Sequence, residues 1–151
     1  MAFSSEIYEL IYQIENICIL GCNYEMAKID DETIGISGRE YPNGIIYLLS
    51  IKEKAICSKL VLDEFHSTTI ITKLNNNYFM TVGKRDDHSN FSDLILLKKE
   101  IENSKIVIKK IDVIDKAYKG NIEGMISINN SIVAPDSLAE LKIWRINIES
   151  K

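Results

Sequence analysis

Apolar residues in this chain come in short runs broken by Asn, Asp and Gly, and the run-and-break pattern recurs three times. The breaks are clearest in the segments Ile29-Asp30-Asp31-Glu32-Thr33-Ile34-Gly35-Ile36-Ser37-Gly38, Leu74-Asn75-Asn76-Asn77-Tyr78-Phe79-Met80-Thr81-Val82-Gly83 and Ile128-Asn129-Asn130-Ser131-Ile132-Val133-Ala134-Pro135-Asp136-Ser137. Each reads as a strand end, a tight polar turn and a new strand, because Asp and Asn side chains bond to their own backbone and tolerate turn conformations. A period of roughly 45 to 55 residues is the mark of a repeat architecture.

Between successive breaks lie further apolar stretches of strand length, Gly44 to Ile51, Asp93 to Glu100 and Glu140 to Asn147. The first two are followed by alternating runs, Ala55 to Asp63 and Lys105 to Ile114, in which Ile106, Ile108 and Lys110 face one side and Val107, Lys109 and Ile111 the other. The expected fold is therefore all-β, with repeats of four short antiparallel strands, a to d. The units span about 26–63, 69–115 and 123–148 of a single β-repeat domain. In the first, strands are expected over Met26 to Ile29, Thr33 to Gly38, Ile45 to Ile51 and Ala55 to Leu62. The second uses Thr69 to Leu74, Tyr78 to Gly83, Leu94 to Lys99 and Lys105 to Asp112, and the third Glu123 to Ile128, Ser131 to Ala134 and Leu141 to Asn147. Two segments also read as helix, Glu6 to Ile17 and Leu96 to Ser104. Short apolar segments defeat periodicity; the repeat favours strand for the first, and in the second the charged Lys98 to Lys105 stretch is expected as a solvated turn between strands c and d.

Composition narrows the functional classes. A length of 151 residues suits one core, and a formal charge of -4 excludes the strong basic footprint of a nucleic-acid binder. Abundant Ile suits pleated, half-buried positions. No apolar run reaches the roughly 18 residues of a membrane helix. Ile19-Leu20-Gly21-Cys22 has the look of a lipoprotein cleavage box, but Glu6, Glu9 and Glu15 stand where a basic leader belongs. Cys18, Cys22 and Cys57 are odd in number and lack paired metal spacing, which points to reduced thiols in a cytoplasmic protein.

Leu141-Lys142-Ile143-Trp144-Arg145-Ile146 resembles the third-strand signature of the WD-repeat β-propeller family, with Trp144 at the Trp position and Leu49 and Leu97 at the same place in the other units. His66 falls between units where the family has its Gly-His pair, Thr81 matches the second-strand Ser/Thr, and Asp86 or Asp87 the loop Asp. The resemblance implies blades of four antiparallel strands, stiffened by a His, Ser/Thr, Asp and Trp hydrogen-bonded tetrad, and a role for His66, Thr81, Asp87 and Trp144 that is structural. No unit holds all four groups. Propellers usually need at least four blades. The chain is thus expected to be part of a longer ring, to self-associate or receive blades from another chain, or to form a small incomplete stack in which a strand over residues 6–15 completes the last unit.

Chemistry is sparse. The Lys84-Arg85-Asp86-Asp87-His88-Ser89-Asn90 cluster sets an acid beside a His, as general acid/base work requires, but is also rich in turn formers. Asp63, Glu64 and His66 can be drawn as a metal cluster, but three such residues within four loop positions are common by chance and the structural role of His66 is favoured; Trp144 alternates with Leu141, Ile143 and Ile146 as a core residue does. No phosphate-binding loop, nucleophile elbow or dinucleotide fingerprint occurs, so no catalytic residue, metal or cofactor is expected. The function expected is a non-enzymatic protein-protein interaction scaffold. Its partner-binding residues would be Arg39, Tyr41, Arg85, Asp86 and His88, in loops that share one face in the family. The alternative is a small-ligand-binding or hydrolytic propeller that uses the His/Asp cluster.

Overall fold

The computed structural model describes residues 9, 10, 13, 25–75 and 77–148. The expected strand at 6–15, with Cys18 and Cys22, lies essentially outside the described residues. Eleven strands form in chain order: β1 (Glu25–Lys28), β2 (Thr33–Glu40), β3 (Asn43–Ser50), β4 (Ala55–Leu62), β5 (Ser67–Asn75), β6 (Tyr78–Lys84), β7 (Phe91–Glu102), β8 (Lys105–Lys119), β9 (Ile126–Ile128), β10 (Ser131–Pro135) and β11 (Leu141–Arg145). They make three antiparallel meanders, ordered β1-β2-β3-β4, β5-β6-β7-β8 and β9-β10-β11. The architecture is all-β and blade-like, and no α-helix occurs among the described residues.

The turn chemistry places the corners. At the β1–β2 corner Asp30 Oδ1 accepts the N–H groups of Glu32 at 2.9 Å and Thr33 at 2.8 Å, and the Thr33 hydroxyl at 2.6 Å. At the β9–β10 corner Asn129 and Asn130 both take positive φ, 48° and 62°, the pair of conformations a two-residue hairpin needs and Asn supplies at low cost.

Burial explains the patterns between corners. The second sheet is covered on both faces, so β7 reads as a continuous apolar run. Leu94 and Leu96 pack with Met80, Val82, Ile132 and Ala134 towards the third sheet. Ile95 and Leu97 pack with Phe79, Ile46, Leu48 and Ile108 towards the first. Burying each such side chain stabilises the stack by about 1.5–3 kcal/mol. The other face of the first sheet carries a smaller buried cluster, Ile36, Ile45, Tyr47 and Leu49.

Three strands differ from expectation by three residues or more: β9 begins at Ile126, not Glu123, and β7 and β8 are longer than expected. Lys98 to Lys105 is no solvated turn: β7 runs to Glu102 and β8 begins at Lys105, so only Asn103 and Ser104 turn, both at positive φ. The charges there line a projecting hairpin, with Lys109 bonded to both Glu100 and Glu102 across the strands. β8 also continues past Asp112 to Lys119. It bends at a bulge where Lys116 takes φ 53° and gives its N–H to Asp93 Oδ1 at 2.8 Å.

Candidate functional site

Five connections meet at one end of the sheets: residues 41–42, 63–66, 85–90, 120–125 and 136–140. They are stitched in order by backbone bonds. Gly44 N donates to Phe65 O at 2.8 Å, His66 N to Lys84 O at 2.8 Å, Gly120 N to Asn90 O at 2.7 Å and Ser137 N to Lys119 O at 3.0 Å. The Lys84 ammonium adds a bond to Asn121 Oδ1 at 2.6 Å. A continuous loop surface results, held by the sheets beneath it.

Of the residues expected to bind a partner, Tyr41 is 74% exposed. It follows the Arg39 side chain, whose guanidinium carbon lies 5.2 Å from the Tyr41 ring centre, a stacking distance that holds both on the rim. Arg85 behaves differently. Its Nε donates to Asp93 Oδ2 at 2.9 Å, Asp115 lies 3.7 Å from its Nη2, and the group sits 5.0 Å from the Phe65 ring centre. Because Asp93 is buried, Arg85 is the counter-charge that allows a carboxylate to sit under the loop, while its own side chain stays 44% exposed. Asp86 turns inward on its own loop, accepting His88 N at 2.8 Å as an Asx turn. His88 is exposed.

The four groups of the expected tetrad separate into pieces. His66 Nε2 lies 2.7 Å from Asp87 Oδ1, close enough to pair when the ring is protonated, but the oxygen lies off the N–H direction and no aligned hydrogen bond forms. Thr81 is fully buried and faces the Thr69 and Ile70 carbonyls, 3.0 and 2.9 Å away, at a bulge in β5. The bulge turns two carbonyls towards one hydroxyl, and the Thr81 hydroxyl donates to these and not to His66. Leu97, where the resemblance expects a Trp, packs in the apolar core towards the first sheet, while Trp144 lies against the core between the second and third sheets.

The three side chains of the Asp86-Asp87-His88 cluster do not converge on one another. Asp86 caps its loop, Asp87 faces His66, and His88 points to solvent. Glu64 pairs with Lys110, so the Asp63, Glu64 and His66 triplet does not converge either. No group of three or more His, Cys, Asp or Glu side chains able to hold a metal ion occurs among the described residues. Cys57 is a free thiol, half-buried, with Sγ 3.3 Å from Leu48 O.

Sequence reasoning did not single out Thr68. Its buried hydroxyl accepts Gly38 N at 3.0 Å and faces the carbonyls of Gly38 and Ile45, each at 2.9 Å, joining β5 to β2 and β3. A Thr within a β-branched run carries no signal for this. The role arises only because Gly44, with no Cβ to hold the strands apart, lets the first sheet approach: a Cβ there would lie 2.9 Å from Thr68 Cγ2.

No helix of the described residues is long and apolar enough to cross a membrane. No known protein family matches the chain, and no curated protein matches it either.

Proposed function

We propose that the chain is a non-enzymatic protein-protein interaction scaffold of the WD-repeat propeller kind, with the loop end as its contact surface. One observation carries the reading: successive loops from all three sheets are hydrogen-bonded into one surface, with Tyr41 and Arg39 stacked at its rim. Loops held by a rigid scaffold are where binding function concentrates, and Tyr and Arg are the side chains most often dominant in binding energy. Arg39, Tyr41 and His88 form the contact set. Arg85 and Asp86 support the loops from within, so their loss acts through loop shape.

Affinity capture with the purified chain tests this. Tyr41→Ala and Arg39→Ala each weaken capture of a specific partner by about tenfold or more, equivalent to losses above about 1.4 kcal/mol. Lys52→Ala, in the β3–β4 turn at the opposite end, leaves capture unchanged. Equal capture by all three variants, with unchanged circular dichroism, would show that the loop end is not the contact surface.

A further inference from the structure

β11 is an edge strand of the third sheet, with one side that no described strand pairs. Among the described residues β11 pairs only with β10, in the register Ser131↔Arg145, Ile132↔Trp144, Val133↔Ile143, Ala134↔Lys142 and Pro135↔Leu141. Just beyond each end of that ladder, Ile146 N donates to Asn130 O at 2.8 Å and Asp136 N to Glu140 O at 2.9 Å. Hydrogen-bonded pairs alternate along an antiparallel ladder, so Lys142 and Trp144 exchange bonds with β10, and Leu141, Ile143 and Arg145 turn their N–H and C=O groups outward. Three donor and acceptor pairs thus line one open edge.

A groove runs beside that edge. The second sheet has four strands and the third has three, with β9 beside β5, which leaves β8 overhanging β11. Ile111 and Ile114 of β8 are only half-buried as a result. Between β8 and β11 lies a pocket of about 330 Å³ lined by Met80, Leu96, Asp112, Ile114, Trp144 and Ile146, among others. It is the open end of the apolar interface between the two sheets, since Met80, Leu96 and Ile146 belong to that core. One added strand would continue both the β11 ladder and the core.

We propose that the β11 edge and this groove accept one extended strand of another polypeptide, apolar where it faces Trp144 and Ile146 and acidic where it faces Arg145. Main-chain bonds to an exposed edge supply affinity in this mode, and alternate side chains supply selectivity. The charge preference comes from Arg145, which is exposed and has no ion pair among the described residues, whereas Lys142 is engaged by the buried Asp136 at 3.3 Å. A residue of the incoming strand directly opposite Arg145 shares its face. A second copy fits worse: two-fold pairing of β11 with itself would bring the partner's second sheet into the space β8 occupies. The surface is separate from the loop end, so this proposal does not depend on the function proposed above.

Trp144, the single Trp of the chain, is a reporter inside the groove. The probe is a short acetylated and amidated peptide alternating glutamate with valine and isoleucine, beside a counterpart with lysine for glutamate. The acidic peptide shifts Trp144 emission to the blue and saturates, and the basic one binds about threefold to fivefold more weakly, the span of one exposed charge pair. Arg145→Glu reverses that preference. Ile143→Pro abolishes binding, because it removes an outward N–H and blocks the edge while sparing every β10–β11 bond. Where that variant does not fold, Arg145→Glu still decides. Absence of a Trp144 response, as when residues 6–15 of the chain itself fill the groove, overturns the proposal. So do equal binding of the two peptides and a sedimenting dimer that Ile143→Pro dissolves.

Discussion

Replacing Asp30 tests how the first and second sheets are held together. Asp30 sits at the β1–β2 corner, and its Oδ2 lies 2.6 Å from the ammonium of Lys99 on β7, with the two side chains 29% and 12% exposed. Partial burial pushes the Asp30 carboxyl up, but the Lys99 ammonium, the Thr33 hydroxyl and the Glu32 N–H outweigh it and bring the pKa from 3.8 down to about 2. A folded pKa below the unfolded one stabilises the fold above the unfolded value, and the benefit is lost as pH falls through the folded value. At about 1.36 kcal/mol per unit, the shift corresponds to about 2 kcal/mol. Asp30→Asn keeps an acceptor for the corner N–H groups and removes the charge, so it should lower the urea-unfolding free energy by about 2 kcal/mol near neutral pH. Asp30→Ala loses the corner bonds as well and should cost about 1 kcal/mol more. The assay is urea unfolding followed by circular dichroism across pH. The gap between wild type and Asp30→Asn should stay constant down to about pH 4 and close by about pH 2. An Asp30→Asn protein within about 0.5 kcal/mol of wild type at neutral pH, or a gap that persists undiminished in acid, would refute the reasoning.

Two further outcomes follow from packing. Thr68→Val keeps shape but strands Gly38 N–H in a buried site, and should cost about 1–3 kcal/mol in denaturant unfolding; a neutral result would mean that the hydroxyl does not join the sheets. Gly83→Ala should destabilise by about 1–3 kcal/mol, because its Cβ would come within 2.6 Å of Phe65 Cδ1 and 2.7 Å of Ile95 Cδ1; Gly124→Ala, with nothing within 4 Å, is the control and should leave the melting temperature unchanged.

Much of the strand layout is legible in one dimension because it rests on local chemistry. The three polar breaks become the β1–β2, β5–β6 and β9–β10 corners, since Asp30 and the Asn129-Asn130 pair make tight reversals with their own side chains and backbone. Lys98 to Lys105 was opaque for the opposite reason. Its charges are cross-strand partners on a solvated hairpin, a pattern that looks the same as a loop or a helix face until the register of β7 on β8 is known. Of the expected tetrad, His66 and Asp87 meet because their loops are stitched side by side, while Thr81 is taken by a bulge that leaves no trace in residue types.

The amino-acid sequence by itself determined the all-β class, the corners and which short runs become strands, because turn propensity and alternation act over a few residues. Tertiary structure alone decided which faces are covered, that Arg85 belongs to buried Asp93 before it belongs to any partner, and that β8 overhangs β11 beside an open edge. Those outcomes depend on how whole sheets stack, and residues distant in sequence acquire their roles only when the sheets meet.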